Sequence, residues 1–144
     1  EKYQVRHWDL DVPWSLRDYI ARVNEIRREN PALHSDRNLQ FFPIDNDAII
    51  AYGKATPDLS DIIVVVVNLD PYHTRSGWLT LPLEDIGIGA GPNASYQVHD
   101  LISDARYLWH GDRNYVELDP GISPAQIFRV RRKIKTERDF DYYM

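Results

Sequence analysis

Cysteine is absent from this 144-residue chain. That excludes a disulfide framework, a thiolate metal site and a cysteine nucleophile, and it fits a reducing compartment. Long apolar runs are missing too. The longest, Ile62 to Val67, is far too short to span a bilayer. No targeting segment is visible, so no membrane partner is expected and a cytoplasmic location is. A basic excess is also lacking: Lys and Arg number 17 against 22 acidic residues, a formal net charge of −5. General nucleic-acid binding needs a net basic face, so no nucleic-acid partner is expected. Arg129, Arg131, Arg132, Lys133 and Lys135 do cluster, but Glu137, Asp139 and Asp141 follow at once. A solvated tail of mixed charge is the ordinary reading, an anion site the sharper one.

Catalytic patterns are equally scarce. None of the serines sits in a Gly-x-Ser-x-Gly elbow between a strand and a helix. His7, His34, His73, His99 and His110 are scattered, with no pair four residues apart on a helix, so metal spacing is absent. Asp9-Leu10-Asp11 has a metal-like spacing but no further acid nearby. It precedes a helix, where acids favour the positive end of the dipole. Gly87-Ile88-Gly89-Ala90-Gly91 has the glycines of a phosphate loop without the strand, helix and Lys-Ser/Thr that such a loop requires. No cofactor, no metal and no catalytic residue is expected within the chain.

What is present is one helix and many strands. Pro13-Trp14-Ser15 reads as a helix entry, with Asp18 three residues beyond Ser15 in a weak capping-box spacing. Leu16, Tyr19, Ile20, Val23 and Ile26 then recur on one face, and Pro31 stops the run. This spacing predicts a helix over Ser15 to Asn30. From residue 38 the period becomes two, which marks strands with one buried face. Strands are predicted over 39–42, 48–53, 62–68, 77–82, 95–100, 106–109, 115–118 and 126–131. Ile62–Val67 is apolar on both faces and should be central and covered twice. Short strands with no helices between them predict an antiparallel β-sandwich, with a small closed barrel as the alternative. Aromatics make up 12% of the chain. Trp78, Trp109, Tyr72, Tyr107 and Tyr115 are either core and cross-strand pairs or a sugar-stacking surface.

Several stretches carry a resemblance. Ser15-Leu16-Arg17-Asp18-Tyr19-Ile20-Ala21-Arg22-Val23, continuing to Asn30-Pro31-Ala32-Leu33, resembles the last barrel helix of α-amylase superfamily enzymes. Glu1-Lys2-Tyr3, His7-Trp8-Asp9, Asn68-Leu69-Asp70-Pro71, Ser76-Gly77-Trp78, Tyr96 to Leu101, Asn114 to Leu118 and the tail from Glu137 to Tyr143 resemble one branch. That branch is the bacterial α-1,4-glucan:maltose-1-phosphate maltosyltransferases.

The resemblance implies the C-terminal region of a longer polypeptide, and a chain that opens on Glu1 with no initiator Met agrees. Residues 1–36 would close a (β/α)8 barrel, and residues 37–144 would form an all-β C-terminal domain. The family's reaction is retaining transfer of maltosyl from maltose-1-phosphate to an α-1,4-glucan. Such chemistry needs two carboxylic acids about 5–5.5 Å apart. In the family these come from earlier barrel strands, so no acid here inherits the role. Lys2 and Tyr3 match a Lys-Tyr pair that contacts the donor sugar, and they are the implied substrate-binding residues. The implied partners are the parent barrel and, through it, α-glucan and maltose-1-phosphate. Other readings are a carbohydrate-binding module or the end of an α-amylase-type hydrolase. The apolar helix stripe should either fold back on the sandwich or drive self-association, for instance as a homodimer.

Overall fold

The structure, a computed structural model, describes Val5, His7 and residues 9–13, 15–89 and 94–131. After α1 (Arg17–Glu29) and a 3₁₀ turn (Pro31–His34), everything regular among the described residues is β. The strands are β1 (Gln40–Phe41), β2 (Ile49–Ala55), β3 (Ile62–Asn68), β4 (Arg75–Thr80), β5 (Ser95–Asp100), β6 (Arg106–His110), β7 (Arg113–Leu118) and β8 (Ala125–Arg131). Each overlaps a predicted strand. β3 and β5 match end to end, and the others shift by one or two residues.

Six strands form one antiparallel sheet in the order β1-β2-β3-β8-β5-β6, and β4 pairs with β7 in a second sheet. The larger sheet is open, with β1 and β6 at its edges. The architecture is therefore mainly β and sandwich-like rather than a closed barrel. Among the described residues no helix is long and apolar enough to cross a membrane.

The period-two pattern of β3 builds the layers. Ile62, Val64 and Val66 face inward, into a core shared with Leu79, Val116, Leu118 and Phe128. Ile63 and Val65 face the other way, into a second cluster with Ile26, Ala32, Leu101 and Ile127. The strand is thus covered by β4–β7 on one face and α1 on the other, as its unbroken apolar text requires. Each fully buried Val, Leu or Ile contributes about 1.5–3 kcal/mol relative to exposure. A two-stranded ribbon is marginal alone, so β4–β7 depends on this inner core. Its outer edge is also held. Residues 43–46 run along β4, where Pro43 O accepts the Thr80 N–H at 3.0 Å and Asp45 Oδ1 accepts the Trp78 N–H at 2.6 Å. That approach is close at Gly77, where a Cβ would stand 2.8 Å from Asp45 Oδ1 and push that carboxylate off the Trp78 N–H.

The helix begins two residues later than its spacing predicts. Leu16 O accepts the Ile20 N–H at 2.8 Å, and Ser15 Oγ accepts the Arg17 N–H at 3.2 Å. Asp18 does not close a capping box; its carboxylate accepts from the Arg17 guanidinium instead. The exit of α1 is fixed more firmly. Asn30 Nδ2 donates to Ile26 O at 2.7 Å, capping one of the carbonyls that a helix end leaves free. Asn30 Oδ1 accepts two bonds from Arg129 on β8, at 3.2 and 2.8 Å. Asp61, just before β3, accepts the Ala32 N–H at 2.9 Å. The end of α1 is thereby tied to the two central strands, and α1 runs alongside β8.

Candidate functional site

The most distinctive surface is the solvent face of β4–β7. Trp78 and Tyr115 are direct cross-strand partners there. Their rings meet edge to face at 5.6 Å, a geometry favoured by the aromatic quadrupole. They remain 45% and 51% exposed. The Arg113 guanidinium lies 5.5 Å from the Trp78 ring centroid, in cation–π range. Ser76 and Glu117 pair next along the ribbon. The result is an exposed, edge-to-face aromatic pair flanked by hydrogen-bonding groups, on a strand whose backbone is bonded from both sides.

The other candidate aromatics divide. Trp109 is buried, with its ring 5.0 Å from Phe128 and 6.3 Å from Tyr96. It belongs to the inner core and cannot stack on a sugar. Tyr107 lies edge to face on Phe128 at 6.2 Å and is partly exposed. Tyr72 stands out from the loop between β3 and β4 and has no ring partner among the described residues.

That loop is rigid for a local reason. Asp70 accepts the Tyr72 and His73 N–H groups at 2.9 and 3.2 Å, the His73 ring at 3.0 Å and the Arg75 guanidinium at 2.9 and 2.7 Å. The Tyr72 N–H and the Arg75 guanidinium hold its carboxyl well below the usual carboxylate range. Asn68 joins the loop to the inner core by donating to His73 O and Leu118 O at 2.9 and 3.1 Å. All these bonds stay within the loop and its neighbours, so Asn68-Leu69-Asp70-Pro71 is a structural motif.

Histidine chemistry resolves the same way. His99 Nε2 donates to Asp104 Oδ1 at 2.6 Å across the turn between β5 and β6. Asp104 sits at a φ of 68°, and the His99 bond and charge lower its carboxyl pKa. No nucleophile completes the pair. Ser103 Oγ donates instead to Asp100 at 2.9 Å. Asp9 Oδ1 accepts the Asp11 N–H at 2.9 Å, a turn contact rather than a metal clasp. No group of three or more possible metal ligands exists among the described residues. Lys2 and Tyr3 lie outside the described residues, as do Lys133, Lys135 and the rest of the tail.

One buried network escaped the sequence reading. The Tyr96 hydroxyl donates to Gly111 O at 2.8 Å and accepts from Asn114 Nδ2 at 2.9 Å. Burial pushes this phenol up to about 12. Tyr96 is on β5 and Asn114 on β7, so the bond ties the two sheets together. Asn114 follows a His-Gly-Asp turn, but nothing in that text names its partner 18 positions away.

Comparison with known proteins now bears on the chain. The family model described as GLGE, C-terminal, matches residues 41–130. The α-1,4-glucan:maltose-1-phosphate maltosyltransferase of Myxococcus xanthus is 48% identical over 143 residues, which is 99% of this chain but 21% of that protein. The protein of the same name from Salinibacter ruber is 45% identical over 130 residues, covering 90% of this chain and 19% of that one. The chain thus spans about one-fifth of the length of these curated relatives. Among solved structures, the α-amylase of Geobacillus thermoleovorans superposes with a TM-score of 0.63 at 19% identity. That match covers 90% of this chain and 26% of the amylase. An Anoxybacillus α-amylase gives 0.61 at 17%, over 91% and 25%. At those identities the likeness is one of fold.

Proposed function

Because this chain belongs to the GLGE C-terminal domain family, we propose that it is the closing, non-catalytic part of a retaining maltosyltransferase. That enzyme moves maltosyl from maltose-1-phosphate to an α-1,4-glucan in the cytoplasm. The observation that carries this reading is the 48% identity over 99% of the chain to a protein of that name. The two acids of the retaining mechanism lie in the rest of the polypeptide. Lys2 and Tyr3, upstream of α1 in the sequence, contact the donor disaccharide. A Lys ammonium donates to sugar hydroxyls, and a Tyr ring offers a flat face and a hydroxyl. Residues 1–36 belong with the barrel and residues 37–144 form the domain that rests on it.

The test is a pair of assays with maltose-1-phosphate and maltohexaose. The 144-residue chain alone should release no phosphate. The polypeptide as encoded should release it and lengthen the acceptor by two glucose units. An encoded polypeptide that hydrolyses starch without using maltose-1-phosphate would instead have an α-amylase-type parent. Lys2→Ala in the active polypeptide should raise KM for maltose-1-phosphate. Unchanged kinetics would remove the Lys2 assignment.

A second reading rests on the exposed Trp78–Tyr115 pair: a glucan-contacting surface on the face opposite α1. Aromatic–sugar stacking needs a pre-positioned ring with polar groups nearby, and Trp78 has Arg113 against its ring and the Ser76–Glu117 pair next along the ribbon. Maltoheptaose should shift tryptophan emission saturably, and Trp78→Ala should abolish the shift while leaving far-ultraviolet dichroism intact. A flat titration would leave this face a purely structural ribbon.

A further inference from the structure

The inner core of the sandwich opens at one end. The β4–β7 ribbon stops at the Arg75–Leu118 pair, and past it the inner face of the larger sheet loses its cover. Tyr107 marks the change. It pairs with the fully buried Val98 and its ring meets Phe128 of the core, yet it is 43% exposed. Trp109, the next inward residue of β6, is buried. The opening is a cleft of about 430 Å³ between the end of the ribbon, the β5–β6 turn and the start of β8. Small-ligand sites span about 300–1,000 Å³. The cleft is separate from the Trp78–Tyr115 pair, which lies on the outer face of the ribbon.

One wall carries a side chain that the core does not explain. Gln126 lines the cleft and pairs with Val66, so it takes an inward position two residues before Phe128. Its amide oxygen is buried and has no hydrogen-bond partner among the described residues. An unmet buried acceptor is destabilising, and a leucine at this position would avoid it. A half-turn of the amide exchanges its oxygen and nitrogen, so Gln126 can offer either one to a molecule in the cleft.

The rest of the lining sets the ligand's chemistry. Carboxylates come from Asp100, Glu117 and Asp119, and hydroxyls from Thr74, Ser103 and Ser123. Ile102, Leu118, Ile122 and Ala125 supply the apolar remainder, and no Lys, Arg or His lines the cleft. A phosphorylated sugar would bring its charge against carboxylates with no cation to meet it. The acids do not make a metal site, since no group of three or more possible ligands exists among the described residues. Asp100 is engaged inside the fold, accepting the Ile102 N–H at 3.0 Å and the Ser103 hydroxyl at 2.9 Å. Asp119 is steadied through one oxygen by the Gly121 N–H at 2.8 Å, and Glu117 is exposed at the rim. The set matches a neutral polyhydroxylated ring. Tyr107 and the exposed Ile122 suit its apolar face, and Gln126, Asp119 and Glu117 suit its hydroxyls.

The position of the cleft along α1 narrows the ligand further. Ser123, on the cleft wall, meets the Tyr19 hydroxyl at 3.2 Å. Leu101, beside Ile102, accepts from Arg22 at 2.8 Å. The cleft is therefore at the end where α1 begins. In a (β/α)8 barrel the helices begin at the face that carries the active site. With α1 as the last barrel helix, the cleft is on that side of the domain.

We infer that this cleft is a subsite for a neutral α-1,4-glucan, holding a glucosyl unit of the acceptor chain rather than the phosphorylated donor. The choice of the acceptor rests on the reading of the chain as the end of a maltosyltransferase. The preference for a neutral sugar rests on the lining alone.

The test uses the polypeptide as encoded, on native gels cast with glycogen and without donor, so that retention reads binding and not turnover. Gln126→Leu should lower retention about fivefold, the loss of one net hydrogen bond. Its unfolding midpoint should hold or rise, because an unmet amide is gone. Tyr107→Ala should lower retention at least as far. Free maltoheptaose should compete, and inorganic phosphate should not. In turnover both variants should raise KM for glycogen and leave KM for maltose-1-phosphate unchanged. Wild-type mobility that ignores glycogen would overturn the inference, as would full retention in Gln126→Leu. Slow hydroxyl-radical labelling of Tyr107 without glucan, unaltered by maltoheptaose, would give the cleft to another part of the polypeptide and also overturn it. A polypeptide that ignores maltose-1-phosphate, yet loses glycogen retention in Gln126→Leu, would sink the proposed transferase and keep the subsite.

Discussion

The two halves of the large sheet's outer face differ although they belong to one sheet. Over β1 and β2 the outward residues are Phe41, Ile50 and Tyr52, with Lys54 at the end of β2 pairing with Asp36 at 3.2 Å. Over β5 and β6 they are Gln97, His99, Arg106 and Leu108. The inner face shows no such split, because Ile49, Ala51, Val98 and Trp109 are buried alike. The teaching is that alternation alone says which residues leave the core. It does not say whether they meet water or another element. The apolar half keeps hydrophobic text on both faces, as a doubly covered strand does. The polar half reads as a solvated antiparallel surface.

The largest effect should come from removing what already covers the centre. Ile26 is the buried anchor of α1, packed on Ile63, Val65 and Ile127. Ile26→Ala should cost about 2–5 kcal/mol, the range for deleting a core aliphatic side chain, read by urea unfolding of the 144-residue chain. A loss as small as that of a surface change would mean that α1 does not depend on this contact. By the same measure Ile20→Ser, six residues earlier on the same helix, should stay within about 0.5 kcal/mol. That contrast along one helix sharpens the distinction between a covered face and an exposed one.

A middle-sized effect belongs to Tyr96→Phe. It leaves the Gly111 carbonyl and Asn114 with one partner fewer at the junction of the sheets, at about 1–2 kcal/mol. The sign with pH follows from the raised phenol. The folded state favours the protonated form, so this contribution is full below the ordinary tyrosine value of about 10. It is lost as pH climbs through about 12. Tyr96→Phe should therefore lower the midpoint at neutral pH and flatten the alkaline limb of the stability curve. An unchanged alkaline limb would show that another group controls it.

Most of the fold was legible. Period-two text marks all eight strands, and the double-sided apolarity of Ile62–Val67 alone predicts a central β3. Trp109 was not legible, because Arg-Tyr-Leu-Trp-His offers apolar residues of both parities. Only the pairing of β6 with β5 buries Trp109 and leaves Leu108 outside. The helix stripe was read as one face of Leu16, Tyr19, Ile20, Val23 and Ile26. The structure divides it, with Ile26 on the sheet and Leu16 and Ile20 in the open, because a stripe that wide meets more than one neighbour. The Asn30–Arg129 and Tyr96–Asn114 bonds were invisible, since each joins single polar residues far apart in sequence. The implied site pair, Lys2 and Tyr3, owes everything to resemblance, and no pattern in this chain would have picked it out.

The smallest predicted effect probes the polar half. Its β5–β6 turn is held by the bond from His99 to Asp104, which lowers the Asp104 carboxyl pKa. A carboxyl whose folded value is depressed adds stability above its unfolded value, near 3.9, and loses it as pH falls through the folded value. Protection of the β5 and β6 amides, taken relative to their intrinsic exchange rates, should therefore fall on acidification below about pH 4, whereas that of β2 and β3, joined by apolar side chains, should change little. Asp104→Asn should remove most of that acid sensitivity while changing neutral-pH exchange only slightly, because the carboxylate is exposed to solvent screening. If β2 and β5 amides respond to acid alike, in wild type and variant, the two halves open as one unit. The difference between them is then one of surface chemistry rather than of local stability.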